Sequence, residues 1–332
     1  MTATRPFRLS FADLALEGEI REELEAVEEL LRESVKSEYP FVTETAGHLV
    51  NAGGKRFRPL LTLLAAHLGD PSAPGVVASA VVVELTHLAT LYHDDVMDEA
   101  SLRRGAQSAN TRWTNTVAIL TGDFLFARAS GLLADLGPEC VRIQARTFER
   151  LVQGQIRETV GPGAGDDHLA HYLTVVADKT GSLIATAARF GAMLGGVDEV
   201  TTDLLARFGE RIGVAFQLSD DVLDVTSDSV DLGKTPGTDL REGIPTLPIL
   251  FARRSAAPAD ARLMDLLAGP IEDDAEVAEA LDLLRAHPQV EAARAEVRRW
   301  AADSRAVLAP LPDAPAKRAL DSLCDLVVDR TG

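Results

Sequence analysis

The 332-residue sequence predicts an all-α protein, a single large bundle of ten or more helices. Three observations carry that reading. Apolar residues recur at spacings of three and four nearly everywhere, and the alternation of half-buried strands is nearly absent. Aromatics are only 5% while Ala, Leu and Val abound, a mixture that favours helix over strand. The breaks are short and carry Gly, Pro or Asp, as in GDPSAPG at 69–75, GPGAGDD at 161–167 and SDSVDLGKTPGTD at 227–239. Loops of that length join antiparallel helical neighbours.

Taken in order, Leu16, Ile20, Leu24, Val27 and Leu31 form one stripe with glutamates on the other faces, an N-terminal helix within residues 1–40. Helical patterns then cover 41–51, 56–68, 75–99, 113–135, 138–160, 168–195, 198–226 and 245–254, and residues 41–250 hold every motif of chemical interest. The C-terminal part, 251–332, repeats the pattern at 260–268, 274–286, 289–308 and 315–329. No Ser- or Pro-rich linker and no fixed-period repeat divides the chain, so residues 1–332 read as one domain. The glycines of GPGAGDD follow a helix rather than a strand, so they lack the context of a phosphate-binding loop.

A net charge of −18 argues against non-specific binding to nucleic acid or to an anionic membrane. The N-terminus turns acidic early, unlike a signal peptide. The longest apolar run, 76–83, stops at Glu84, far short of the ~20 residues of a spanning helix. Cys140 and Cys324 stand far apart with no metal-ligand spacing, as unpaired thiols of a cytoplasmic protein do.

Against that background, LYHDDVMDEASLRRG at 91–105 sets Asp94, Asp95 and Asp98 at i, i+1 and i+4. On a helix these carboxylates project toward one cleft at the C-terminal end, where the macrodipole is also negative. Like charges so placed need a cation, and hard divalent ions such as Mg²⁺ suit carboxylate oxygen. FQLSDDVLD at 216–224 repeats the spacing with Asp220, Asp221 and Asp224. One such cluster is often a solvated helix face; two, each ending an apolar helix, suggest helices facing each other across a cavity with metal between them.

Cations name what the metal serves. GGKRFRP at 53–59 puts Lys55, Arg56 and Arg58 at a helix start, where backbone donors and basic side chains make an anion site. Arg103 and Arg104 follow the first cluster, Lys179 and Thr180 sit in DKTGS, and Lys234 follows the second cluster. Together they describe a site for two phosphorylated groups, one chelated through metal and one held by cations.

The series GGKRFRP, HDDVMD with RRG, KTGSL, FQLSDDVLD and GK…GTDLREG…TLP resembles the trans-polyprenyl diphosphate synthases, over about residues 40–250 and most like bacterial long-chain members. The resemblance implies a deep central cavity, Mg²⁺ as cofactor with three ions when substrate is bound, and a homodimer. It implies metal binding by Asp94, Asp95, Asp98, Asp220, Asp221 and Asp224. Arg103, Lys179 and Lys234 match contacts to the allylic diphosphate, and Lys55, Arg58, His87 and Arg104 match the isopentenyl diphosphate site. Thr180 and Gln217 match groups near the reacting carbon. The expected activity is head-to-tail condensation of isopentenyl diphosphate with an allylic diphosphate primer.

Two departures stand out. Ile244 occupies a place where the family often has lysine, and Gly154-Gln155 replaces a frequent Gly-Glu pair. Neither touches an aspartate. Ala89 and Thr90, about one turn before Asp94, are small where an aromatic ring would stop a growing prenyl tail, so a product of C30 or longer is expected, with C20 or shorter the alternative. A terpene cyclase would lack GGKRFRP and RRG, and a regulatory subunit would lack aspartates from one cluster.

Overall fold

The computed structural model describes residues 11–227, 236–255 and 257–330. Its helices follow the periodicity: α1 (Leu14–Ser34), α2 (Pro40–Asn51), α3 (Phe57–Ala66) and α4 (Val76–Met97), then a two-stranded hairpin, β1 (Leu102–Arg103) with β2 (Ala106–Gln107). Next come α5 (Ala109–Arg112), α6 (Asn115–Leu136), α7 (Pro138–Val160) and α8 (His168–Val176). A π-helical turn over Ala177–Gly181 leads into α9 (Ser182–Leu194), followed by α10 (Glu199–Thr226) and α11 (Thr238–Glu242). The described chain closes with α12 (Leu247–Ala252), α13 (Ala261–Leu266), α14 (Asp274–Ala286), α15 (Gln289–Val307) and α16 (Pro315–Asp329). The all-α expectation holds, with local differences. The pattern read as one helix over 168–195 is interrupted by the π turn, α11 begins inside the segment read as a loop, and the small hairpin was not foreseen.

Local chemistry sets the ends. Asp13 caps α1, its Oδ1 accepting from the Ala15 and Leu16 amides at 3.0 and 3.1 Å. Pro40 opens α2, where its missing N–H is no loss. Past the end of α4, Glu99 takes a left-handed φ of 48°, which turns the chain toward the hairpin. Arg104 and Gly105 both have positive φ, 55° and 75°, as a two-residue primed turn requires.

The helices form two compact units. The first takes in Met1–Glu149, Leu183–Glu210 and Val307–Leu323, and the second Arg150–Ser182, Arg211–Ala306 and Cys324–Gly332. In the first, α4 is apolar on nearly every side because α1, α3 and α6 pack around it. Leu31, Leu61, Leu64, Leu85, Leu88 and Leu125 are fully buried there. By length and composition alone α4 and α6 are apolar enough to cross a membrane; 67% of the apolar window of α4 is buried, against 33% for α6. On α6, Ile119 and Leu120 stay 43% and 60% exposed. A cavity of about 430 Å³ lies among α4, α6 and the first part of α7, lined by Thr86, His93, Phe126, Leu133, Gln144 and Phe148 among others. The second unit has its own core, in which Val225, Leu240, Ile249, Leu266, Val277 and Leu284 pack together.

Candidate active site

In the first unit the aspartates stand where the spacing put them. Asp94 and Asp95 lie in the last turn of α4 and Asp98 is its C-cap, with its amide donating to the Asp94 carbonyl at 2.8 Å. Asp95 is fully buried. Arg103, on β1, donates through Nε to Asp95 Oδ1 at 2.6 Å, while Asp95 Oδ2 is buried with no hydrogen-bond partner among the described residues. Burial pushes the Asp95 carboxyl up and Arg103 pulls it back. A buried carboxylate oxygen with an open lone pair, flanked by two more aspartates, has the donor chemistry of a hard-cation ligand. As the side chains stand, no three metal-binding groups converge on one point among the described residues.

Beside these carboxylates the same unit gathers its cations. Arg104 Nη1 donates to the carbonyls of Leu49, at 3.2 Å, and Gly53. Arg58 Nε is buried without a partner among the described residues. Burial pushes the Arg58 guanidinium down to about 10, opposed by Glu84 and reinforced by Arg104. His87 is held well below the ordinary histidine value, first by burial and then by Arg58, Arg104, Arg103 and Arg56 around it. A neutral histidine amid arginines, one of which has an unfilled buried donor, is the electrostatic signature of an anion site. Lys55, at 53–59 with these residues, is exposed.

Ala89 is fully buried, and its carbonyl lies 3.1 Å from where a Cβ on Gly122 of α6 would stand. Thr90 is half-buried and turns its Oγ1 back to the His87 carbonyl at 2.8 Å. Thr86 and His93 line the cavity, one on each side of these two positions in sequence.

In the second unit a hydrogen-bonded chain joins three residues marked by their motifs. Thr180 Oγ1 donates to Gln217 Oε1 at 3.2 Å, and Gln217 Nε2 donates to Asp221 Oδ1 at 2.9 Å. The other Asp221 oxygen accepts from Tyr172 Oη, a buried phenol that no motif announced. Burial raises the Asp221 carboxyl, and the two donors oppose it. Asp220 pairs with Arg330, whose guanidinium lies 4.5 Å over the Phe216 ring. Asp224 Oδ2 accepts from the Asp239 amide at 3.3 Å. Lys179 Nζ pairs with Glu158 Oε2 at 2.5 Å. The π turn that carries Lys179 and Thr180 is pinned from α7, because Arg150, at 3.0 Å, and Arg157 both pair with Asp178. Gly154 lets α7 approach: a Cβ there would stand 2.7 Å from the Lys179 amide nitrogen. Of the two departures, Gln155 keeps a buried Oε1 without a hydrogen-bond partner among the described residues, and the Ile244 amide donates to the Asp239 carbonyl at 2.9 Å. Lys234 lies outside the described residues.

Tyr172, Glu158 and Arg330 are partners that sequence reasoning missed, since they are 49, 21 and 110 residues from the groups they touch. The only local signal was Tyr172 on the apolar face of α8.

Comparison with known proteins places this geometry. The sequence model for "Polyprenyl synthetase" matches residues 39–284. A nonaprenyl diphosphate synthase of Mycobacterium tuberculosis is 50% identical over 325 residues, 98% of this chain and 97% of that protein. The crystal structure of geranylgeranyl pyrophosphate synthase from Corynebacterium glutamicum, complexed with calcium and isoprenyl diphosphate, shares 47% identity and a TM-score of 0.87 over 97% of this chain and 99% of that one. A decaprenyl diphosphate synthase from Rhodobacter capsulatus gives 36% identity and 0.86 over 96% and 99%. With its acidic and basic motifs carried on the helices of that fold, the chain belongs to the polyprenyl synthetase family.

Proposed function

We propose that the protein condenses isopentenyl diphosphate head-to-tail with an allylic diphosphate primer, giving an all-trans polyprenyl diphosphate of C30 or longer. The observation that carries this reading is the pairing, within one unit, of the aspartates ending α4 with an anion site of Arg58, His87 and Arg104. A cyclase that ionises a diphosphate needs the first and has no use for the second.

In this reading Asp94, Asp95, Asp98, Asp220, Asp221 and Asp224 hold Mg²⁺, three ions when substrate is bound. Bound there, Mg²⁺ supplies Lewis-acid stabilisation of the leaving diphosphate. Arg103, Lys179 and Lys234 add positive charge to the allylic diphosphate as its C–O bond breaks. Lys55, Arg58, His87 and Arg104 hold isopentenyl diphosphate so that its alkene attacks the allylic cation. Thr180 and Gln217 lie near the reacting carbon, where exclusion of water protects the cation. The departing pyrophosphate takes the final proton, which balances the reaction without a protein base.

The small side chains at Ala89 and Thr90, next to the cavity-lining Thr86 and His93, favour a long tail, and the resemblance to the nonaprenyl synthase points the same way. A C20 product is the second reading, favoured by the 47% identity to a geranylgeranyl pyrophosphate synthase. We read the exposed Ile119 and Leu120 on α6 as the face of a homodimer, and the buried α4 as a core helix of a soluble, cytoplasmic enzyme. The family match over 39–284 spans parts of both units, which supports reading residues 1–332 as one catalytic domain.

The test is incubation of purified protein with Mg²⁺, isopentenyl diphosphate and dimethylallyl, geranyl or farnesyl diphosphate, with products sized by mass spectrometry. A ladder ending at C30 or above supports the full reading, and one ending at C20 keeps the reaction and refutes the length. No condensation with any primer from folded protein refutes the reaction.

A further inference from the structure

The anion site of the first unit rests on a charge network that the condensation itself does not use. Arg56 is only 6% exposed and Glu84 2%. Arg56 Nη1 donates to Glu84 Oε1 at 2.8 Å, its Nε to Glu28 Oε1, and its Nη2 to the Val50 carbonyl at 3.2 Å. All three guanidinium nitrogens are therefore engaged inside the protein. The same Glu84 oxygen lies 3.8 Å from Arg104 Nη2. Glu84 is also the carboxylate that Arg58 feels most strongly.

The backbone adds a reason for the network. Arg56 is the N-cap of α3 and sits in the left-handed region, at φ 51° and ψ 36°, which an L-residue other than glycine rarely adopts. Lys55 directly precedes it and Arg58 follows two residues on. The side-chain bonds to Glu28 and Glu84 hold Arg56 in the conformation from which the following residues leave.

Three arginines close together repel one another. Glu84 offsets that repulsion at one point, while Arg58 Nε has no hydrogen-bond partner among the described residues. We propose that Glu84, with Glu28 behind it, is a positioning residue for the isopentenyl diphosphate site: it locks Arg56, steadies Arg104 and so presents Arg58 and Arg104 to the diphosphate. The proposal rests on the condensation reading above, and neither carboxylate touches substrate in it.

The experiment compares wild type with Glu84→Gln, Glu84→Asp and Glu28→Gln. Steady-state kinetics are run with each substrate varied in turn, isopentenyl diphosphate binding is measured by calorimetry, and thermal melts report folding. Glu84→Gln is expected to raise KM for isopentenyl diphosphate about tenfold or more, a shift of roughly 1.4 kcal/mol, while KM for the allylic primer moves less than twofold. Glu84→Asp keeps the charge and restores most of the loss, and Glu28→Gln gives a smaller effect of the same sign.

An isopentenyl diphosphate KM unmoved in folded Glu84→Gln overturns the proposal, as does a parallel rise in both KM values. Should Glu84→Gln fail to fold, Glu28→Gln decides, and an unmoved isopentenyl diphosphate KM in it overturns the proposal. Should wild type bind isopentenyl diphosphate yet condense nothing, the reaction reading falls alone. Calorimetry on Glu28→Gln then supports the positioning role by weakened binding, or overturns it by unchanged binding.

Discussion

Replacing Gly154 by alanine tests whether the closeness of α7 to the π turn is what places Lys179 and Thr180. A Cβ on Gly154 would stand 2.7 Å from the Lys179 amide nitrogen, 3.0 Å from Asp178 Cβ and 3.1 Å from the Asp178 carbonyl carbon. Ordinary contact begins at 3.4 Å, so the first gap is 0.7 Å too small, and two of the three opposing atoms are backbone. Backbone held by the Arg150 and Arg157 pairs to Asp178 has no rotamer to retreat into. Two effects compete. Alanine in place of glycine stabilises a helix interior by about 0.5–1 kcal/mol. Overpacking a tight site destabilises by about 1–3 kcal/mol. The second wins here, for a net loss of about 1 kcal/mol and a Tm about 1–2 °C lower.

Activity is the more sensitive readout. A misplacement near 1 Å costs a rate of about 100-fold, so a 0.7 Å displacement of Lys179 and Thr180 is expected to lower kcat/KM for the allylic primer at least about tenfold. KM for isopentenyl diphosphate, for which Arg58, His87 and Arg104 are the proposed contacts, is expected to stay within about twofold of wild type. The assay is steady-state condensation with each substrate varied, paired with a thermal melt. A variant that melts higher than wild type and keeps its kcat/KM refutes the reasoning, since it shows that α7 yields without moving the π turn.

Other perturbations reach other parts of the site. Tyr172→Phe removes a buried donor to Asp221 and is expected to lower stability by about 1.5–3 kcal/mol by chemical denaturation and to raise the Mg²⁺ requirement of condensation about tenfold or more. Unchanged values of both would show that Gln217 suffices. Thr90→Phe, at a half-buried position, is expected to shorten the product with little change in Tm, whereas Ala89→Phe, at a fully buried one, should shorten it and destabilise the protein by about 1–3 kcal/mol. Mass spectrometry and melting curves check both. His87 is kept neutral in the fold, with its pKa well below the ordinary histidine value of 6.5, so the unfolded chain binds the extra proton first as the pH falls. Its contribution is intact above that value and lost below it, at up to about 1.4 kcal/mol per pH unit. His87→Asn is expected to flatten the stability profile below pH 6.5 in urea titrations, and an unaltered slope would count against the neutral histidine.

Much of this molecule was legible because its chemistry is local. Long helices such as α4 and α10 announce themselves through apolar residues every three or four positions, and the aspartates sit at i, i+1 and i+4 on those same helices. Thr180, Gln217 and Asp221 were each marked by a motif, and the structure joins them into one hydrogen-bonded chain. What sequence could not give falls into two kinds. Strands of two residues, Leu102–Arg103 and Ala106–Gln107, are too short to show alternation, and α11 has five residues, too few to show a helical period. Partners distant in the chain leave no spacing to read: Arg56 meets Glu84 and Glu28 at a separation of 28 residues each way. Buried charge pairs of that kind follow from packing, not from pattern.

The π turn at Ala177–Gly181 amounts to one residue more than an unbroken α-helix from α8 into α9 needs. Loss of a single residue there would restore a regular helix and add a full set of i to i−4 bonds. It would also remove the widened turn that carries Lys179 and Thr180. Tyr172 lies on one side of the turn, and Thr180 lies within it. The widened turn thus belongs to the proposed site: a shortened variant is expected to be a better helix and a worse enzyme. Alignments of relatives should therefore hold this segment without gaps, even where the side chains around it change.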